Sequence, residues 1–96
     1  INILIKGYFS ILVTPSSFFI NGTGNAGMAK AGSGDVLTGI LASLLAQGYA
    51  AEDAGIIGMY VHGLAGDIAR EELGEDYMTA TDIIHYLSAA FRSIRN

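Results

Sequence analysis

Between Gly27 and Gly39 the chain reads GMAKAGSGDVLTG, four glycines about one lysine and one aspartate, running directly into an apolar helical pattern. Glycine accepts positive φ at no steric cost, and the stretch from Asn21 to Ser33 has no periodicity. It reads as a loop of about a dozen residues, a length at which connections usually carry function. The helical period begins at once after it. Val36, Leu37, Ile40, Leu41, Leu44 and Leu45 fall on one stripe and Gly48 is placed to end it, so a helix is expected from about Gly34 and Asp35.

Upstream, Asn2 to Ile20 favours strands: NILIK, SILVT and FFI, broken at Gly7 and at Pro15-Ser16-Ser17. The runs flanking Pro15 can pair as a hairpin, whereas NILI, apolar throughout, suits a strand buried on both faces of a parallel sheet. An α/β sheet with an antiparallel edge is the expectation. Downstream, a second helix should run from Ala51 to Leu73, opened by Glu52 and Asp53 and stopped by Gly74. Gly55, Gly58, Gly63 and Gly66 each cost about 1 kcal/mol there relative to alanine, so close approach of neighbouring backbones is expected to offset them. A third helix follows Met78, capped by Thr79 or Thr81, with Ile83, Ile84, Leu87 and Phe91 as its stripe. Short strands followed by three helices, without repeat or linker, make one piece of an α/β layer structure.

That piece is too apolar to stand alone. Of its 96 residues 51% are hydrophobic and 15% charged, against about 25% charged in ordinary domains. The chain therefore reads as part of a larger fold. With a net charge of −4 and its basic residues Lys6, Lys30, Arg70, Arg92 and Arg95 scattered, it offers nothing to a nucleic-acid backbone. The longest apolar run, Val36 to Ala46, contains Thr38, Gly39 and Ser43 and falls well short of the roughly 20 residues of a membrane span. There is no cysteine, and INILIKG lacks the charged start and cleavage site of a secretory signal, so a cytoplasmic location is expected. The sequon Asn21-Gly22-Thr23 is discounted on the same ground.

Three readings compete for the glycine-rich loop. Gly22, Gly24 and Gly27 formally match a dinucleotide fingerprint, but MAKAGSG intervenes before the helix and no acid ends a strand about 20 residues on. A phosphate-binding GK[ST] loop is excluded because Ala31 follows Lys30. In AGSGD, however, the amides of Gly32, Ser33 and Gly34 can turn around an anion at a helix start. Asp35 lies in the first turn beside any phosphate held there. A carboxylate in that position is electrostatically odd unless it accepts a proton from an attacking hydroxyl while the amides stabilise the transferring phosphoryl group and Mg²⁺ moderates the repulsion. The alternative is that Asp35 only caps the helix, and spacing does not separate the two.

GNAGMAKAGSGDVLTGILASLLAQG, with LIKG before it and YVHGLAGDIA after it, resembles the signature of the ADP/ATP-dependent NAD(P)H-hydrate dehydratases, carbohydrate-kinase-like members of the ribokinase-like superfamily. The resemblance covers essentially the whole chain; GSGD alone would mark only the superfamily. It implies a three-layer α/β/α fold much longer than this chain, of which residues 1–96 would be an incomplete C-terminal portion. The implied activity is metabolite repair: a nucleotide drives dehydration of hydrated NADH or NADPH by phosphorylation of the hydrate's hydroxyl and loss of phosphate. Asp35 would be catalytic and would touch the hydrated substrate. Lys6, Gly7, Tyr8, Phe9 and Ser10 lie where the family's nucleotide-contacting loop lies, and Gly32, Ser33 and Gly34 would complete the nucleotide site. ADP or ATP would bring Mg²⁺ with it, the protein supplying no metal site of its own, and a homo-oligomer is expected. Departures from the family pattern are Tyr8 for a small residue, Ser10 for threonine and Ala26 for proline. A ribokinase-like kinase acting on a small alcohol shares the loop and the aspartate, and a non-catalytic nucleotide-binding or assembly fragment remains a third reading.

The other polar residues read more plainly. Lys6 ends a strand where a cation would meet a phosphate, whereas Lys30 reads as a solvated loop lysine. His62 and Asp67, five positions apart on one helix, are poorly placed to share a ligand, so His62 is expected to be a satisfied interior histidine. His85 should lie at the surface or an edge. Tyr49, Tyr60, Tyr77 and Tyr86 share no helical spacing and read as packing residues.

Overall fold

The computed structural model describes residues 2–5, 10–29 and 32–95. Strands β1 (Ile3–Ile5), β2 (Ile11–Val13) and β3 (Phe18–Ile20) form a meander in the order β1-β2-β3, antiparallel at both joins. The turn around Pro15 is closed by Thr14, whose N–H donates to the Ser17 carbonyl at 2.8 Å and whose hydroxyl accepts from the Ser17 N–H at 3.1 Å. The hairpin is thus as expected, but the parallel NILI strand is not. β1 runs antiparallel to β2, with Leu4 opposite Leu12. The connection from Ile5 to Ile11 is too short for a parallel crossover, which takes a dozen residues or more.

Leu4, Leu12 and Phe19 are in register on one face, and Leu12 is buried against the helices. The opposite face is also apolar, yet Ile3, Phe18 and Ile20 are each more than half exposed there (52%, 65% and 60%). A sheet with two apolar faces is built to be covered twice, and this chain covers one.

Helix α1 (Ser33–Ala46) begins one residue before its expected start and ends in a Schellman arrangement. Gly48, at φ +98°, donates to the Leu45 carbonyl, and Tyr49 donates to that of Leu44. Helix α2 (Ala51–Leu73) has the expected bounds and stops at Gly74, at φ +84°. The expected third helix is two: α3 (Ala80–His85) and α4 (Leu87–Arg95), separated by Tyr86. The break changes the stripe. Ile83, Tyr86, Leu87, Ala90 and Phe91 pack on the core, while Ile84 is left 54% exposed.

The core lies along α2, where Val61, Ala65 and Ala69 are fully buried with Met78, Ile83 and Ala90, and a second cluster joins Ala54 to Ile40 and Leu44 of α1. The glycines of α2 explain how its neighbours come so near. Leu12 lies over Gly55, Leu41 over Gly58, Thr23 over Gly63 and the Met28 thioether over Gly66. Three of these approaches are made by side chains; only at Gly63 does a backbone come close, so the expectation of backbone contact holds at one position of four.

Candidate functional site: an open helix start and a free carboxylate

The loop that begins at Asn21 is laced to α2. Asn21 is buried, and its amide donates to the Met59 carbonyl at 2.8 Å while its oxygen accepts from the Thr23 N–H and hydroxyl. The Thr23 hydroxyl also lies 2.9 Å from the Tyr60 carbonyl. Asp67 takes both of its near neighbours, accepting from the Gly24 N–H at 3.0 Å and from the Asn25 amide at 2.9 Å. Asn25 in turn accepts from the Gly27 N–H and caps a 3-10 turn over Ala26–Met28. A buried, engaged Asn21 is no glycosylation acceptor in the folded protein.

At the far end of the loop the chain enters α1 through Gly32, whose φ of +89° favours glycine. Among the described residues no side chain caps this helix start, and Val36 is the first to close a turn, donating to the Gly32 carbonyl at 3.1 Å. The amides of Ser33, Gly34 and Asp35 have no intrahelical partner by the geometry of a helix start, and they add to the positive end of the helix dipole. Asp35 is the third helical residue, exposed, and no described hydrogen bond or ion pair engages its carboxylate. It does not cap the helix.

From Gly32 and Asp35 a cleft of about 750 Å³ runs between α1 and the α3–α4 pair, walled by Ile40, Leu44, Leu87 and Phe91 and reaching Arg95 at its other end. Its walls are apolar, with Asp35 and Arg95 the charged residues that line it.

The structure therefore brings Gly32, Ser33, Gly34 and Asp35 together at one helix start. Ser10 is placed beside β2, its carbonyl accepting from the Asn21 N–H. Lys6, Gly7, Tyr8, Phe9 and Lys30 lie outside the described residues. His62 is buried, with Nε2 3.0 Å from the Ser33 carbonyl and 3.3 Å from its hydroxyl, and His85 is exposed, so both histidines stand as expected. His62 and Asp67 indeed serve different partners. Sequence reasoning missed Asn21, Thr23, Asn25 and Asp67 as the frame of the loop. Their pairings cross about 40 residues of chain, and only the clustering of small polar residues opposite a helical aspartate hinted at them.

In this α/β unit a glycine turn, three amides without intrahelical partners and an exposed carboxylate meet at the start of α1, an arrangement whose chemistry suits phosphate. The chain belongs to the NAD(P)H-hydrate dehydratase family, whose family model matches residues 1–89. It is 47% identical over 94 residues to the bifunctional NAD(P)H-hydrate repair enzyme of Thermofilum pendens, a match covering 97% of this chain and 18% of that protein. It is 39% identical over 95 residues to the ADP-dependent (S)-NAD(P)H-hydrate dehydratase of Neisseria meningitidis, covering 98% of this chain and 31% of that one. The fold matches the crystal structure of the ADP/ATP-dependent NAD(P)H-hydrate dehydratase from Bacillus subtilis, co-crystallised with ATP and Mg²⁺ and soaked with CoA. The TM-score is 0.90 at 26% identity, over 96% of this chain and 34% of that one. The α/β class is thereby that of the ribokinase-like dehydratases. The chain spans less than a third of the length of these two curated relatives.

Proposed function

We propose that the polypeptide carrying this chain uses ADP or ATP to dehydrate hydrated NADH and NADPH, and that residues 1–96 are a C-terminal portion of its single ribokinase-like domain. The observation that carries this is the pairing of the open Gly32–Gly34 turn with the exposed, unengaged Asp35. Asp35 accepts the proton of the hydrate's hydroxyl as the oxygen attacks the terminal phosphoryl group. The amides at the start of α1 stabilise charge on that group, each such donor being worth about a hundredfold in rate. The bond from that phosphoryl group to the rest of the nucleotide breaks, releasing AMP from ADP or ADP from ATP; the ester's C–O bond then breaks to release inorganic phosphate, a proton is lost from the adjacent carbon, and the ring double bond returns.

Mg²⁺ enters bound to the nucleotide. Among the described residues no group of three His, Asp or Glu side chains gathers to hold an ion, while exposed Asp35 and the open amides fit a magnesium–phosphate unit. The ion supplies charge neutralisation. Lys6, Gly7, Tyr8, Phe9 and Ser10 are proposed to contact the nucleotide with Gly32, Ser33 and Gly34. The apolar outer face of the sheet supports the view that preceding parts of the domain are needed to complete the enzyme. No helix among the described residues is long and apolar enough to cross a membrane. Action in the cytoplasm, where reduced nicotinamides and ATP are abundant, and assembly as a homo-oligomer complete the proposal.

The test is to incubate the full-length protein with hydrated NADH, Mg²⁺ and either ADP or ATP and follow the return of reduced-nicotinamide absorbance. Nucleotide-dependent recovery supports repair and names the donor. Bound nucleotide without recovery, and a stable phosphate ester from another alcohol, would assign a kinase instead.

A further inference from the structure

We infer that His62 is a positioning residue for the nucleotide site: by holding Ser33 it fixes the direction in which the first amides of α1 and the Asp35 carboxylate point. This rests on the function proposed above and deepens it. Ser33 is the one buried residue of the turn, 3% exposed, while Gly32 and Asp35 are exposed on either side of it. Its carbonyl only accepts, so the contact at 3.0 Å requires the proton on His62 Nε2, and the Ser33 hydroxyl at 3.3 Å stands as a second contact to the same nitrogen. Both are buried.

Gly32 is in the left-handed region and, among the described residues, no side chain caps the helix; within α1 the turn is tied by Thr38, whose hydroxyl donates to the Gly34 carbonyl at 3.1 Å, and across to α2 by His62. His62 stands in the core along α2, next to fully buried Val61 and one turn from fully buried Ala65. Phosphoryl transfer depends on where donors sit, and a displacement of about 1 Å costs on the order of a hundredfold in rate. A donor fixed to the core at this point sets that placement. The contact to the Ser33 carbonyl needs an N–H at the reach of Nε2, so glutamine should serve it and leucine should not.

The experiment measures ADP and ATP binding, kcat and thermal unfolding for the full-length protein and its His62→Gln and His62→Leu variants. We expect His62→Gln to bind nucleotide within about threefold of the unsubstituted protein. His62→Leu should lose about tenfold or more in affinity and in kcat while still unfolding cooperatively. If both variants lose thermal stability but the folded protein keeps its affinity and kcat, His62 is merely a core residue and the inference fails. Should His62→Leu not fold, His62→Asn, whose amide is one bond short, takes its place: weaker nucleotide binding than His62→Gln supports the inference, and equal binding overturns it. Absence of nucleotide binding in the unsubstituted protein would instead remove the functional reading on which the inference stands.

Discussion

Thr23 occupies the place where a side chain on Gly63 would begin: a Cβ there would meet the Thr23 hydroxyl and lie 2.7 Å from its carbonyl carbon. A backbone atom at that distance has to move, and moving it breaks the bonds from Thr23 to Asn21 and to the Tyr60 carbonyl. Gly63→Ala gains about 1 kcal/mol of helix propensity and loses more to overpacking, so a net destabilisation of about 1–3 kcal/mol is expected. Gly39, in α1 with nothing within 4 Å of a Cβ, is the control. Gly39→Ala should stabilise by about 0.5–1 kcal/mol. Urea unfolding of the two variants in the full-length protein checks both signs.

Asp67 makes a second test of the same frame. Its two oxygens each take a donor from the loop, the Gly24 N–H and the Asn25 amide. Asp67→Ala leaves both without a partner and should cost about 1–3 kcal/mol. Asp67→Asn keeps one acceptor and turns an N–H toward the other donor, so its loss should be intermediate. Thermal unfolding gives the cost, and faster proteolytic cutting between Asn21 and Ala29 would show where the loss falls. Unchanged cutting would mean that the loop is held by other contacts.

The start of α3 offers a local measurement. Thr79 and Asp82 form a capping box, with Asp82 accepting from the Thr79 N–H at 2.8 Å and Thr79 accepting from the Asp82 N–H at 3.3 Å. Thr79→Ala should destabilise by about 1 kcal/mol, while Thr79→Ser keeps the acceptor and should cost only a few tenths. Equal losses in the two variants would mean the methyl group, not the cap, is what matters.

The helices were legible because their signals are local. The α1 stripe from Val36 to Leu45, Gly48 and Gly74 as stops, and Thr79 as a cap each follow from a few neighbouring residues, and each stands in the structure except that Leu45 is left 49% exposed. What failed was non-local. NILI carries the composition of a doubly buried strand, yet the distance along the chain to its partner decides its direction, and composition does not encode that. The break at Tyr86 was hidden for a similar reason: Ile84 is as apolar as Ile83, and only the position of α2 determines which of them is buried. The glycine turn at the start of α1 was readable from AGSGD. That Asp35 leaves the cap to Gly32 and stays unengaged required coordinates.

That unengaged carboxylate gives the sharpest prediction. Asp35 is exposed at the third position of α1, where asparagine has the same shape and no packing to disturb, so Asp35→Asn should leave the fold unchanged. Removing a negative charge beside bound phosphate should keep nucleotide affinity or raise it slightly. Turnover should fall at least about a hundredfold, the scale of a lost general base. Binding of ADP or ATP measured beside kcat on the full-length variant separates the two effects. Retained binding with collapsed turnover places Asp35 in proton transfer; equal turnover removes it from the mechanism, and weakened binding with the same kcat makes it a nucleotide contact instead.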